Sequence, residues 1–209
     1  MTPQGNPVAL RGRQDVADEV LMLRFQRGDI NAFAQLVQRH KTPLFNFILR
    51  HARNPTVAED LLQDVFLKVV QNSSEFKHEA RFTTWVYAIT RNLCVDHFRK
   101  MALRKHDSLD QSKDSEGSPL GERILNPDLD ANVERSAITR ELRDQIVGAV
   151  EDLPEEQREV FLLRELANLP FKEIATITDT PENTVKSRMR YALERLQATL
   201  QAHEHDVLP

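Results

Sequence analysis

One cysteine stands among 209 residues, so no disulfide can close within the chain. That residue, Cys94, falls on an apolar helical face, where a lone thiol is a small core residue rather than a nucleophile or sensor. Only six glycines occur, and long runs of alternating polar and apolar residues are missing, which argues against a sheet-rich fold. No apolar stretch approaches the ~20 residues that cross a bilayer. The N-terminus, MTPQGNPVALRGRQ, lacks the apolar core of a secretory signal. These absences point to a cytoplasmic chain without direct membrane insertion. Chemistry-bearing motifs are scarce as well. His78-Glu79 is not followed by a second His at helical spacing, and there is no P-loop, Gly-rich phosphate cradle or Cys cluster. No catalytic residue, cofactor or resident metal is therefore expected. His203-Glu204-His205 reads as a solvated tail.

What is present is helical periodicity. Its most informative stretch is Pro170 to Gln197, PFKEIATITDTPENTVKSRMRYALERLQ. Phe171, Ile174, Ala175 and Ile177 make an apolar stripe at helical spacing. Thr178-Asp179-Thr180 interrupts it. Thr180 is expected to cap a second helix through its hydroxyl, with Pro181 at the first helical position, where a missing amide costs nothing. Val185, Met189, Ala192, Leu193 and Leu196 form the inner stripe of that helix. Its outer face carries Lys186, Ser187, Arg188, Arg190 and Tyr191. This is the layout of a helix-turn-helix that lays its second helix in the DNA major groove. The turn has no Gly, so Asp179 has to adopt the left-handed or bridge conformation, which Asp tolerates better than most residues.

A net charge of −4 sits awkwardly with DNA binding, which needs a local excess of Lys and Arg. The distribution resolves this. Ala80 to Lys105 holds Arg81, Arg91, Arg99, Lys100, Arg104 and Lys105 against Asp96 alone. His106 to Arg135 holds Asp107, Asp110, Asp114, Glu116, Glu122, Asp128, Asp130 and Glu134 against Lys113, Arg123 and Arg135. Two basic patches are thus separated by an acidic segment. Such a chain should bind DNA weakly alone and need another component to hold both patches on the duplex.

The periodicity predicts an all-α chain of two small helical domains joined by a flexible acidic linker. Residues 1–14 read as a disordered tail. Residues 15–105 form the first domain, with helices over Asp15–Arg27, Ile30–Arg53, Thr56–Asn72 and Phe82–Leu103. Val16, Val20, Leu21, Met22 and Leu23 are the packing candidates of the first helix, and Pro43 is a candidate kink in the second. Residues 106–132 are polar, acidic and punctuated by Gly and Pro, as a linker is. Residues 133–203 form the second domain, with helices over about 133–151 and Pro154–Leu166 ahead of the helix-turn-helix. Residues 204–209 form a C-terminal tail.

The tract AEDLLQDVFLKVVQNSSEFKHEARFTTWVYAITRNLCVDHFRK, Ala58 to Lys100, has three physically distinct parts. Spacings of three and four put Asp60, Gln63, Asp64 and Leu67 on one helix face, beside Glu59. Acids in a first turn complement the helix dipole, which suffices for Glu59; carboxylates around Leu67 also suit docking of a basic helical partner. Next comes a polar loop, Asn72 to Arg81, in which Phe76 either folds onto the core or offers a platform to an unstacked base. Last is a helix whose polar positions, Thr84, Arg91, Asn92, Asp96, Arg99 and Lys100, suit single-stranded or melted DNA. Trp85 and Tyr87 belong to the core or its edge.

This tract resembles region 2 of a bacterial sigma factor. DLPEEQREVFLLRELANLPFKEIATITDTPENTVKSRMRYALERL resembles sigma region 4. With these two regions and a short tether, the chain is similar to the extracytoplasmic-function group of the sigma-70 family, over about residues 20–105 and 133–200. The resemblance implies a subunit of RNA polymerase that directs transcription initiation at a specific regulon, responsive to stress or envelope signals. It implies docking of Glu59, Asp60, Gln63, Asp64 and Leu67 on the β′ clamp helices of core polymerase, and a β-flap contact for region 4. It places the −10 element on Phe76, Lys77, Arg81, Arg91, Asn92, Arg99 and Lys100. It places the −35 element on Lys186, Ser187, Arg190 and Tyr191, with Thr184 and Arg188 on phosphate. An anti-sigma factor, often at the inner membrane, is a further partner the resemblance suggests. Opening duplex DNA costs about 1.4 kcal/mol per stacked step, more in total than one loop supplies, so capture of one or two flipped bases within a larger enzyme is the reasonable division.

Two other classes compete. A helix-turn-helix repressor or activator would normally dimerise to span two half-sites, yet no heptad seam is present and the acidic helix would be unexplained. An enzyme would need one of the motifs found wanting above.

Overall fold

In the computed structural model, residues 16–77, 79–107 and 145–207 are described. The expected tail at 1–14, nearly all of the linker at 106–132, and the start of the expected helix at 133–144 lie outside them, as does His78. Among the described residues every regular element is helical: α1 (Asp18–Gln26), α2 (Ile30–Ala52), α3 (Pro55–Gln71), α4 (Phe82–Asp107), α5 (residues 145–151), α6 (Glu155–Glu165), α7 (Phe171–Thr178) and α8 (Glu182–Val207). A single 3₁₀ turn, Ser73–Glu75, follows α3.

The helix starts have local causes. Asp29 caps α2 by accepting from the Ala32 amide at 3.2 Å. Asn54 caps α3, its Oδ1 taking the amides of Thr56 and Val57 at 3.0 and 3.2 Å, with Pro55 opening the helix. Both caps satisfy amides that the first turn cannot. Gly28, at φ 96°, and Arg53, at φ 52°, make the left-handed turns that end α1 and α2. α2 continues through Pro43 as one helix. α4 runs four residues past the expected end at Leu103, and α8 runs on to Val207, beyond His203.

α2 is the centre of the N-terminal bundle, packing on α1, α3 and α4. Leu36, Leu44, Phe47 and Ile48 of α2 meet Leu21 and Met22 of α1, Leu61, Val65 and Val69 of α3, and Phe82, Val86 and Tyr87 of α4, in one buried core. Val16 and Val20, expected to pack, are instead exposed, because α1 buries only the Leu21–Met22 side. Aromatic rings supply much of the volume: Phe47 stands edge-on to Tyr87 at 5.3 Å between centroids, and Phe33 packs between Phe25 and Phe66. The buried hydrophobic side chains of the C-terminal bundle are aliphatic, with Phe161 and Phe171 packed partly buried against them. Val160, Leu162 and Leu163 of α6, Ile174 and Ile177 of α7, and Val185, Met189, Ala192 and Leu196 of α8 close it, with Leu169 from the connecting turn. Cys94 is buried with the core. None of the helices is long and apolar enough to cross a membrane among the described residues.

Candidate nucleic-acid and polymerase interface

The turn between α7 and α8 takes the predicted geometry. Asp179 lies in the left-handed region at φ 49°, ψ 48°, and the amides of Asp179 and Thr180 both close on the Ala175 carbonyl. The cap of α8 differs from expectation. The Pro181 carbonyl, one residue later, accepts the first helical amides, from Thr184 and Val185. The Thr180 hydroxyl donates to the Thr178 carbonyl at 3.1 Å and accepts from Arg188 at 3.3 Å. Thr180 therefore ties the turn to the middle of α8 rather than capping its first turn.

α8 divides cleanly. Val185, Met189, Ala192 and Leu196 are buried, while Thr184, Lys186, Ser187, Arg190 and Tyr191 are exposed. Leu193, expected inward, is exposed too, one residue out of the buried stripe. Lys186 pairs with Glu182 at 2.7 Å and Arg190 with Glu194 at 3.7 Å, both one helical turn away. The Arg190 guanidinium also lies over the Tyr191 ring at 4.8 Å. Such exposed pairs contribute a few tenths of a kcal/mol at most and yield readily to phosphate. Arg188 is held more firmly, half-buried between Glu156 at 2.6 Å and Thr180.

On α3, Glu59, Asp60, Gln63, Asp64 and Leu67 are all exposed, opposite the buried stripe Ala58, Leu61, Val65 and Val69. Leu67 is 57 % exposed, with Val70 on the same side of the helix. An apolar knob ringed by carboxylates is thus left facing solvent.

The loop after α3 corrects one expectation. Phe76 is not a platform presented to a base: it is 4 % exposed, with its ring 5.3 Å from Trp85 and 6.1 Å from Phe82. A phenyl ring has no polar end to keep wet, so in a polar loop beside an aromatic cluster burial wins. Gln26 pins this loop from α1, donating to the carbonyls of Ser73 at 2.6 Å and Phe76 at 3.0 Å. Glu19, also from α1, accepts from the Phe82 amide at 2.9 Å and so caps α4 from a distance. Lys77 and Arg81 flank Phe76 and are exposed.

On α4, Asn92, Arg99 and Lys100 are exposed. Arg91 is not: its Nε donates to Glu159 Oε1 of α6 at 2.7 Å. Thr84, two turns earlier on the same face, donates to Glu173 of α7. Arg81 also reaches Glu173, at 3.7 Å. Spacing alone gives no sign of these partners, because they lie 68 to 92 positions away in the chain. Beside them, His51 at the end of α2 bonds the Phe47 carbonyl at 2.9 Å. Burial holds its imidazolium below the usual histidine range; that carbonyl, Glu159 and Glu155 pull partly back, and Arg158 opposes them. Burial, with Glu159 nearby, pushes the Cys94 thiol up to about 12, which leaves it inert. No cluster of His, Cys, Asp and Glu able to hold a metal occurs among the described residues.

Comparison with known proteins matches the chain to a family. Residues 36–104 match the Sigma-70 region 2 model and residues 143–196 the Sigma-70 region 4 model. The RNA polymerase sigma-H factor of Pseudomonas aeruginosa is 31% identical over 187 residues, 88% of this chain and 94% of the relative. The ECF RNA polymerase sigma-E factor of Escherichia coli is 32% identical over 192 residues, 90% of this chain and 96% of the relative. The fold is similar to that of the sigma factor RpoE bound to the anti-sigma factor NepR from Bartonella quintana. There the TM-score is 0.62 at 22% identity, covering 81% of this chain and 96% of that one. The chain is a member of the extracytoplasmic-function RNA polymerase sigma factors, non-enzymatic proteins that direct the initiation of transcription.

Proposed function

We propose that this sigma factor divides its task among three surfaces. Residues 15–105 act as the region 2 domain and residues 133–203 as the region 4 domain, with 106–132 as tether. The exposed α3 face of Glu59, Asp60, Gln63, Asp64 and Leu67 docks on the β′ clamp helices of core polymerase. Leu67 supplies the buried anchor and the carboxylates meet basic side chains around it. Arg81, Arg91, Asn92, Arg99 and Lys100, with Lys77 in the loop, hold the −10 element, whose melted strand presents phosphates to the cations. Phe76 serves this surface from the core, by fixing the loop. Thr184, Lys186, Ser187, Arg188, Arg190 and Tyr191 address the −35 element: Lys186, Ser187, Arg190 and Tyr191 on base edges, Thr184 and Arg188 on phosphate. Region 4 also meets the β flap.

The observation that supports this most is the segregation of charge on exposed faces, acidic on α3 and basic on α8, each opposite a fully apolar inner stripe. A location in the cytoplasm, beside the polymerase, follows from the function. A partner that restrains the chain, an anti-sigma factor of the kind bound to the Bartonella protein, fits the same scheme and would set any attachment to the inner membrane. The division of labour is tested by two variants in the full chain. Asp64→Ala weakens assembly with core polymerase, and Lys186→Ala with Arg190→Ala weakens −35 use while leaving core affinity unchanged. Loss of core affinity in the second variant, with promoter choice intact, would overturn it.

A further inference from the structure

Glu19 and Gln26 lie ahead of residues 36–104, the part of the chain matched to region 2, and neither belongs to the surfaces assigned above. Both sit on α1. Seven positions apart, they share one helix face and stand about 10 Å apart along its axis. α1 packs on the 3₁₀ turn after α3 and on α4. There the Gln26 amide donates to two carbonyls, Ser73 at 2.6 Å and Phe76 at 3.0 Å. Glu19 accepts from the Phe82 amide at 2.9 Å, where α4 begins. Lys77 and Arg81 lie between these two holds and are exposed. α1 is itself fixed to the bundle. Leu21 and Met22 are wholly buried, and Asp18 bonds Arg39 and His40 of α2, each at 2.6 Å.

We propose that Gln26 and Glu19 are positioning residues for the −10 element: without touching DNA, they hold the two ends of residues 73–82 and set where Lys77 and Arg81 meet the melted strand. The proposal rests on the −10 assignment above. Three observations carry it. The segment's own backbone bonds are short-range, from the Glu75 amide to Asn72, Phe76 to Ser73 and Ala80 to Lys77. Local turns of this kind do not fix a loop against the body of the domain; side chains from another helix do, by removing its remaining freedom. The chemistry of position 26 is also specific. Two carbonyls converge on one nitrogen, which calls for a group with two N–H donors; a carboxylate of the same shape would oppose both. Finally, Gln26 is exposed, so its removal costs the fold little while it frees the loop.

The test uses the full chain reconstituted with core polymerase, on a promoter that the unaltered holoenzyme transcribes. Permanganate reactivity of thymines reads opening of the −10 element, and competition reads core affinity. Acrylamide quenching of Trp85 reads the loop, because Trp85 is the only tryptophan and its ring lies 5.3 Å from that of Phe76. Gln26→Met, close in shape but without a donor, is expected to lower opening roughly five-fold, the equivalent of one net hydrogen bond, and to increase the quenching. Glu19→Met lowers opening likewise, while Glu19→Gln, which still accepts, keeps it. Core affinity stays that of the unaltered chain throughout. Gln35→Met, the same exchange at an exposed glutamine that donates to Asn31 of its own helix, leaves every readout unchanged. Loss of opening and increased quenching together, at unchanged core affinity, support the proposal. Either change alone, neither change, or a matching fall in core affinity overturns it, as does a loss in Glu19→Gln equal to that in Glu19→Met. Lys77→Ala with Arg81→Ala separates the two levels. If that pair leaves opening intact, the −10 assignment fails; if it lowers opening while Gln26→Met does not, only the positioning role fails.

Discussion

The N-terminal and C-terminal bundles solve the same packing problem with different side chains and leave the cations proposed to meet DNA in different states. The first is built around aromatic rings, with Phe47, Phe82 and Tyr87 fully enclosed. The second is smaller, its buried hydrophobic side chains being Val, Leu, Ile, Met and Ala, with Phe161 and Phe171 only partly buried at its edge. On the surface, α8 keeps Lys186 and Arg190 exposed and paired only to their own helix. α4 commits Arg91 to a carboxylate of the other bundle. Lys186 and Arg190 are open to a partner, whereas Arg91 is already paired within the chain, although Asn92, Arg99 and Lys100 of its helix stay exposed.

The comparison breaks first in the cores. Phe47→Ala is expected to cost about 3–5 kcal/mol and Leu162→Ala about 2–5 kcal/mol, through lost burial and the cavity left behind. Denaturant unfolding of each variant measures this, and losses under 1 kcal/mol would contradict the enclosure of either residue. Next come the surfaces. Arg190→Ala should lower −35 recognition by about 1–3 kcal/mol if its guanidinium reads a base, relaxing discrimination at one position; a uniform loss across sequences would make it a phosphate contact. Asp64→Ala should weaken core assembly by about 1 kcal/mol, as for a rim charge, measured by competition for core polymerase. The smallest effect is on pH dependence. His51 is held neutral by burial, so the unfolded chain takes up its proton first as pH falls below the usual histidine range. Stability then falls with pH, and the folded chain gains nothing from this group above that range. His51→Gln should flatten that part of the stability–pH curve; an unchanged slope would place the imidazole in water.

Much of this was readable from residue order because its causes are local. Asn54-Pro55 starts α3, Gly28 stops α1, and Asp179 turns between α7 and α8 just where the pattern breaks. The outer face of α8 and the acidic face of α3 follow from spacing alone. Thr180 was legible as a turn residue but not in its role, because its hydroxyl chooses between an amide, a carbonyl and a guanidinium eight residues on. Phe76 left two outcomes open, and only the tertiary position of Trp85 and Phe82 selects the buried one. Glu159 and Glu173 could not be found at all. Each is an ordinary acid on an ordinary helix, and its meaning lies in an Arg or Thr from the distant α4.

The central claim is that this sigma factor reads promoters only as part of polymerase. Run-off transcription and footprinting on a library of random promoter fragments, with and without purified core enzyme, test it most directly. The account predicts specific protection and transcripts from one promoter class when chain and core are together, and neither with the chain alone. Tight, sequence-specific protection by the chain by itself, with no change in what core transcribes, would contradict it.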